Sequence, residues 1–128
     1  MASGLPAATG DVLTAATVNG LVTFTLNAQS GATYTVANSD LYQVLVQATN
    51  ASTKTITIAP DSTLTSAAIG SAITFINSGA GLLTFAAGAG VTITSAAASS
   101  AAPTLLQYKT CVAIRLAANS WTIAGAIA

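Results

Sequence analysis

Six side chains in this 128-residue chain carry formal charge: Asp11, Asp40, Asp61, Lys54, Lys109 and Arg115. With Cys111, Trp121 and two Gly-x-Gly stretches, they are the groups from which any chemistry would have to be built. There is no His and no Glu. A Ser-His-Asp triad is therefore absent, and a Ser–Lys pair on Lys54 or Lys109 is the one nucleophilic arrangement left open. Cys111 sits in a strand pattern with no imidazole to lower its pKa, which predicts a buried, inert thiol. The three aspartates lie far apart, each near a turn or helix start, where Asp caps backbone N–H groups; this outweighs a catalytic or calcium-binding role. Neither Gly79-Ala80-Gly81 nor Gly88-Ala89-Gly90 completes Gly-x-Gly-x-x-Gly or ends in Gly-Lys-Ser/Thr, so both read as turns rather than phosphate loops. Trp121 could be a platform for a sugar, but its alternation with Thr122 and Ile123 favours a core or interface position. The expectation is a non-enzymatic protein with no catalytic residue, no cofactor and no metal site.

Composition narrows the classes further. Charged residues make up 5% of the chain and cancel to a net charge of zero, against about 25% in ordinary domains. Without a basic patch to neutralise phosphates, nucleic-acid binding lacks its main driving force. The mean hydropathy is +0.70, yet Thr, Ser or Asn interrupts every apolar stretch well short of the ~20 residues a spanning helix needs. No membrane association is expected. The first basic residue is Lys54, so no positively charged leader of the secretory kind is expected. A single cysteine cannot form an internal disulfide, which fits a reducing cytosol. Near-zero net charge favours association. Such a chain suits life inside a larger assembly.

The elements that must position these residues are strands. From Val22 onward threonine alternates with apolar residues, as in Thr23-Phe24-Thr25-Leu26, Thr33-Tyr34-Thr35-Val36 and Thr55-Ile56-Thr57-Ile58. The same period recurs in Ile73-Thr74-Phe75, Thr84-Phe85, Val91-Thr92-Ile93-Thr94 and Trp121-Thr122-Ile123. Period two turns the Phe, Ile and Val set inward and the Thr set outward. Threonine is β-branched and carries a hydroxyl, so it favours the strand and still wets the surface. Phe75, Phe85 and Ile93 are expected in the core. Leu41 to Gln47 and Cys111 to Leu116 are apolar on both faces, which marks strands central in a sandwich or buried at a subunit contact.

Turn signals at roughly ten-residue spacing predict an all-β fold, a β-sandwich or jelly-roll-like barrel of about eight short strands. The Ala/Ser run from Ser95 to Pro103 has no periodicity and reads as a loop. Gly79 to Phe85 is echoed by Gly88 to Thr94, but one echo does not make a solenoid. Two regions follow: residues 1–21 as a non-globular N-terminal arm, and residues 22–128 as the β domain. Thr14 could cap a short helical turn that stops at Gly20. So short a helix is marginal alone and needs a surface. Either the segment folds back on its own domain, or it docks elsewhere through Leu5, Val12, Leu13, Val18 and Leu21.

The run Ile73-Thr74-Phe75-Ile76-Asn77-Ser78-Gly79-Ala80-Gly81-Leu82-Leu83-Thr84-Phe85, continuing through Ala86-Ala87-Gly88-Ala89-Gly90-Val91-Thr92-Ile93, resembles a segment of tailed-bacteriophage virion proteins, notably capsid-decoration and tail-fibre domains. Gln107-Tyr108 and the closing Asn119-Ser120-Trp121-Thr122-Ile123-Ala124-Gly125 extend the likeness, and Thr33-Tyr34-Thr35-Val36 is similar to the family's opening strand. Gly10-Asp11-Val12-Leu13-Thr14-Ala15-Ala16-Thr17-Val18-Asn19 is similar to a stretch near the start of other phage tail proteins. The chain departs from the pattern at its end, where Ala126-Ile127-Ala128 stands in place of an acidic residue. It is also less charged than most such domains, which suggests that more of its surface is covered.

The resemblance implies a β-rich homotrimer on the virion surface, made in the host cytoplasm. No enzymatic residue carries over. A decoration or cement protein needs a compact trimer and an attachment segment that binds the major capsid protein. The alternative, a tail-fibre or spike component bound to tail proteins or to a host surface receptor, would be expected to show a heptad stalk and an aromatic-rich tip. Aromatic residues make up 5% of this chain, which favours the decoration protein.

Overall fold

A computed structural model describes residues 23–128, and they are nearly all β. Ten strands follow in chain order: β1 (Thr25–Gln29), β2 (Thr33–Thr35), β3 (Val44–Ala48), β4 (Lys54–Ile58), β5 (Ala72–Asn77), β6 (Leu83–Ala87), β7 (Thr92–Ser95), β8 (Thr104–Leu105), β9 (Lys109–Ala117) and β10 (Ser120–Gly125). A 3-10 turn at Asn38–Asp40 joins β2 to β3. The strands form two sheets, a six-stranded one ordered β1-β3-β5-β9-β10-β7 and a four-stranded one ordered β2-β4-β6-β8. The expected all-β sandwich is thus present, with ten strands rather than about eight.

The winding differs from the antiparallel plan of a jelly roll. Up to β6 the chain alternates between the sheets, and each return places a strand parallel to the previous one. Thus β1, β3 and β5 run parallel in one sheet, and β2, β4 and β6 run parallel in the other. Three coils are stacked in this way. The β9–β10 hairpin then fills the space beside β5, with β9 pairing antiparallel to β5 and β10 antiparallel to β9, while β7 lies outside β10 and parallel to it. The turns must stack as closely as the strands. A Cβ on Gly79 would lie 2.1 Å from the Asn50 carbonyl oxygen, and one on Gly81 would lie 1.8 Å from that of Ser52. The first Gly-x-Gly is therefore a turn whose backbone rests on the turn of the coil before it.

The core lies between the sheets. Ile73, Phe75, Trp121 and Ile123 project into it from the six-stranded sheet, and Ile56, Ile58, Leu83, Phe85 and Leu105 from the four-stranded one. Phe75, Phe85 and Ile93 are buried as expected. The long strand β9 contributes its small residues to the interior. Cys111 pairs with Phe75 and Ala113 with Ile73, so small side chains on β9 lie beside large ones on β5 across the inner face, which favours dense packing. Val112, Ile114 and Leu116 consequently point outward.

The first strand departs from the expected phase. Phe24 and Leu26 are exposed, while Asn27 and Gln29 occupy the positions in register with the buried Val46 and Ala48. Because β1 is the outermost strand of its sheet, the inward positions at this end need to tolerate water, and polar residues fill them. Ser95 to Pro103 is largely a loop as expected, apart from Ser95 itself at the end of β7. The helical turn expected near Thr14 and the proposed attachment residues Leu5, Val12, Leu13, Val18 and Leu21 lie outside the described residues.

Candidate interaction surface

Among the described residues, four of the five charged side chains are buried or paired. Lys54 is buried on the inner side of β4 and turns its ammonium to the carbonyl of Gly31. Desolvation lowers its pKa. Asp61 and Arg115 form a two-pronged ion pair, with Nη2 2.7 Å from Oδ2 and Nε 3.2 Å from Oδ1. The guanidinium holds the Asp61 pKa below the usual carboxylate value, assisted by the Asn119 backbone N–H. In return, the Asp61 N–H donates to Asn119 Oδ1 at 2.8 Å. This cluster fastens the β4–β5 connection to the β9–β10 hairpin, whose turn residue Asn119 has φ +50°. Neither lysine is drawn into the arrangement a Ser–Lys nucleophile would require: Lys54 is spent on a carbonyl, and Lys109 stands exposed at the start of β9.

Asp40 organises the end of the sandwich formed by β1 and β2. Only 1% exposed, its carboxylate accepts from Asn27 Nδ2 at 2.8 Å, from Tyr34 Oη at 2.5 Å and from the Ala37 N–H at 3.0 Å. Asn27 in turn accepts from Gln29 Nε2 at 2.7 Å. Burial and the Asp40 carboxylate push the Tyr34 phenol up to about 12. The network borders a shallow depression of about 480 Å³ that also touches Thr25, Leu26 and Ser39. Every oxygen of Asp40 is already engaged, so the network closes the open end of a stack of coils, as terminal repeats of stacked folds do with polar groups. It resembles a lid on the core more than a binding site.

Cys111 is buried, and desolvation pushes its thiol up to about 12. Trp121 is fully buried, so it is a core residue rather than a sugar platform; its Nε1 and the Asn50 Oδ1 are buried without hydrogen-bond partners. Among the described residues no three His, Cys, Asp or Glu side chains are grouped to hold a metal ion. Among the same residues, no helix is long and apolar enough to cross a membrane.

What remains are the two outer faces, and they differ. The four-stranded sheet carries Thr33, Thr55, Thr84 and Thr104 side by side in one register row, with Thr35, Thr57 and Ala86 in the next. The six-stranded sheet carries Leu26, Leu45, Thr74, Val112 and Ala124 in one row. Ile76 and Ile114 flank that row on either side, Ile76 beside Gln47 and Ile114 beside Ala72 and Thr122. No charged residue stands in these rows. Sequence reasoning singled out both double-faced strands but could not choose the outward face of either. The signal was present in β9, where Cys111 and Ala113 are the smaller set and fit between the core rings.

The chain matches no protein-family model, no curated protein and no solved structure.

Proposed function

We propose that this chain is a non-enzymatic virion structural protein, a capsid decoration (cement) protein that trimerises and binds the major capsid protein of a phage head. The observation that carries the reading is the disposal of charge. Of the five charged side chains among the described residues, Asp40 and Lys54 are buried, Asp61 and Arg115 are paired, and Lys109 alone is exposed without an ion-pair partner. The two outer faces are uncharged, one mostly threonine and the other a mixture of threonine with Leu45, Ile76, Val112 and Ile114, which suits a molecule held among others. Near-zero net charge would favour association of such a molecule in free solution. The resemblance of Ile73 to Ile93 and Asn119 to Gly125 to phage virion domains supports the same reading.

Attachment is assigned to residues 1–21, through Leu5, Val12, Leu13, Val18 and Leu21. Asp11 is the one charge in that segment, so binding rests on apolar burial, at roughly 25 cal/mol per Å², and on threefold avidity. The test is co-sedimentation of the purified chain with heads that lack it. Binding that persists in high sodium chloride, and that is lost when residues 1–21 are removed, supports the reading. Binding stripped by moderate salt contradicts it, because screened ion pairs would then be responsible.

A further inference from the structure

We propose that the apolar end of the six-stranded sheet, where the chain enters the β domain, is a seat for this chain's own residues 1–22. The inference stands without a phage head. On the reading above it adds that the attachment segment is held on its own body until a head competes for it.

Seven large apolar side chains are exposed among the described residues, and their placement is uneven. Strands β1, β3 and β5 run parallel and β9 runs against them, so the starts of the first three lie beside the end of the fourth. Phe24 stands just before β1, Tyr42 and Ile69 in the segments that lead into β3 and β5, and Leu116 near the end of β9. Four of the seven therefore share one end of one sheet. Two hydrogen bonds hold the loops there. Tyr42 Oη donates to the Ser66 carbonyl at 2.8 Å. The Gly70 N–H donates to the Arg115 carbonyl at 2.7 Å, which sets Ile69 beside the end of β9. Leu26, two residues on from Phe24, extends the patch along the outer strand.

Charge, position and connection name the occupant. This end holds no free charge, since Arg115 is paired with Asp61 and Asp40 is buried in its own network. Lys109, the exposed charge without an ion-pair partner among the described residues, opens β9 at the opposite end. An apolar occupant fits such a place, and residues 1–22 carry Leu5, Val12, Leu13, Val18 and Leu21 against the single charge of Asp11. The segment also arrives there, because it joins the body through Thr23 at Phe24, itself part of the patch. Four strands about 4.8 Å apart span only about 14 Å, whereas 22 residues reach up to about 70 Å when extended. Covalent connection then decides among apolar occupants. A segment joined so closely is present at an effective concentration on the order of millimolar, which a separate partner has to exceed.

The experiment is hydroxyl-radical footprinting of the full chain, with two like-for-like comparisons. Tyr42 and Tyr108 are 63% and 76% exposed, and Leu116 and Leu106 are 57% and 50% exposed. Leu106 and Tyr108 lie at the opposite end, where β9 begins. Tyr42 and Leu116 should be labelled several-fold more slowly than these counterparts, and the double substitution Leu13→Asp with Val18→Asp should restore their labelling. Trp121, buried in the core, must stay unlabelled in the variant to show a folded body; if it does not, Leu13→Ser with Val18→Ser takes its place. Equal rates in the wild-type chain overturn the inference, whatever the variants do. Protection that survives the double substitution also overturns it, since something else then covers this end. So does protection that fades on dilution, which assigns the cover to a neighbouring copy, or that appears only with heads present, which assigns it to the shell. A chain protected by its own segment that binds no head sustains the inference and defeats the virion role. A chain that binds heads through residues 1–21 while Tyr42 and Leu116 stay open throughout does the reverse.

Discussion

The rings of Phe75 and Phe85 meet edge to face across the sandwich, with centroids 4.9 Å apart and planes inclined at 69°. Phe75 belongs to β5 of the six-stranded sheet and Phe85 to β6 of the four-stranded sheet. The contact therefore holds the two sheets together at the third coil, where β5 also pairs with the hairpin strand β9. Edge-to-face aromatic pairs contribute about 0.5–1.5 kcal/mol beyond their area burial.

Truncation of either ring should be severe. Phe85→Ala is expected to cost about 3–5 kcal/mol, a large part of a small domain's stability. Urea unfolding followed by tryptophan fluorescence measures it, since Trp121 is buried in the same core. A variant with an unchanged midpoint would contradict the placement of Phe85 between the sheets.

The Asp61–Arg115 pair should give stability a dependence on acid. The folded pKa of Asp61 lies below its unfolded value, so its contribution is complete above the ordinary carboxylate pKa of about 4. It is lost as pH falls through the folded value. Stability measured from pH 6 down to pH 2 should therefore decline, and Asp61→Asn should flatten part of that decline. An identical acid profile in Asp61→Asn would show that the pair carries no such linkage.

Tyr34 gives the opposite limb. Its phenol titrates near 10 when unfolded and at about 12 when folded. The folded state thus holds the proton more tightly, and the stability from this group is complete below pH 10 and declines between pH 10 and 12. Tyr34→Phe should remove that decline. It should also cost about 1–3 kcal/mol at neutral pH, because the buried Asp40 carboxylate loses a donor. Absorbance titration of the phenolates alongside thermal melting checks both effects.

Cys111 should be inert in the folded protein. Burial and the raised pKa leave almost no thiolate at pH 8, and the thiolate is the reactive form. A chromogenic disulfide reagent should therefore react only as fast as the chain unfolds. Rapid stoichiometric reaction under native conditions would show that the β9 inner face is open.

Much of this architecture was legible in the sequence, and the exceptions have physical causes. Alternation placed Phe75, Phe85 and Ile93 inward because threonine takes the opposite face of each of their strands, whereas it left Trp121 between core and interface. It could not reveal that the strands pair in parallel, since an alternating strand reads the same whichever way its neighbour runs. The coils also escaped notice because they are unequal. Thr25 is in register with Val44, 19 residues on, whereas Leu45 is in register with Thr74, 29 residues on. No fixed period exists to be found. The phase of β1 was misread because Phe24 and Leu26 are the apolar set, and only the long-range bonds of Asn27 with Tyr34 and Asp40 explain why the polar set turns inward. The ion pair was equally hidden, since Asp61 and Arg115 are 54 residues apart.

The central claim, that this chain decorates a phage head, is tested most directly by a reconstruction of the virion that carries it. The account expects density for a two-sheet β body in groups of three on the outer surface of the capsid. Density for the same body in a tail fibre or spike, or as isolated single copies on the shell, would contradict it.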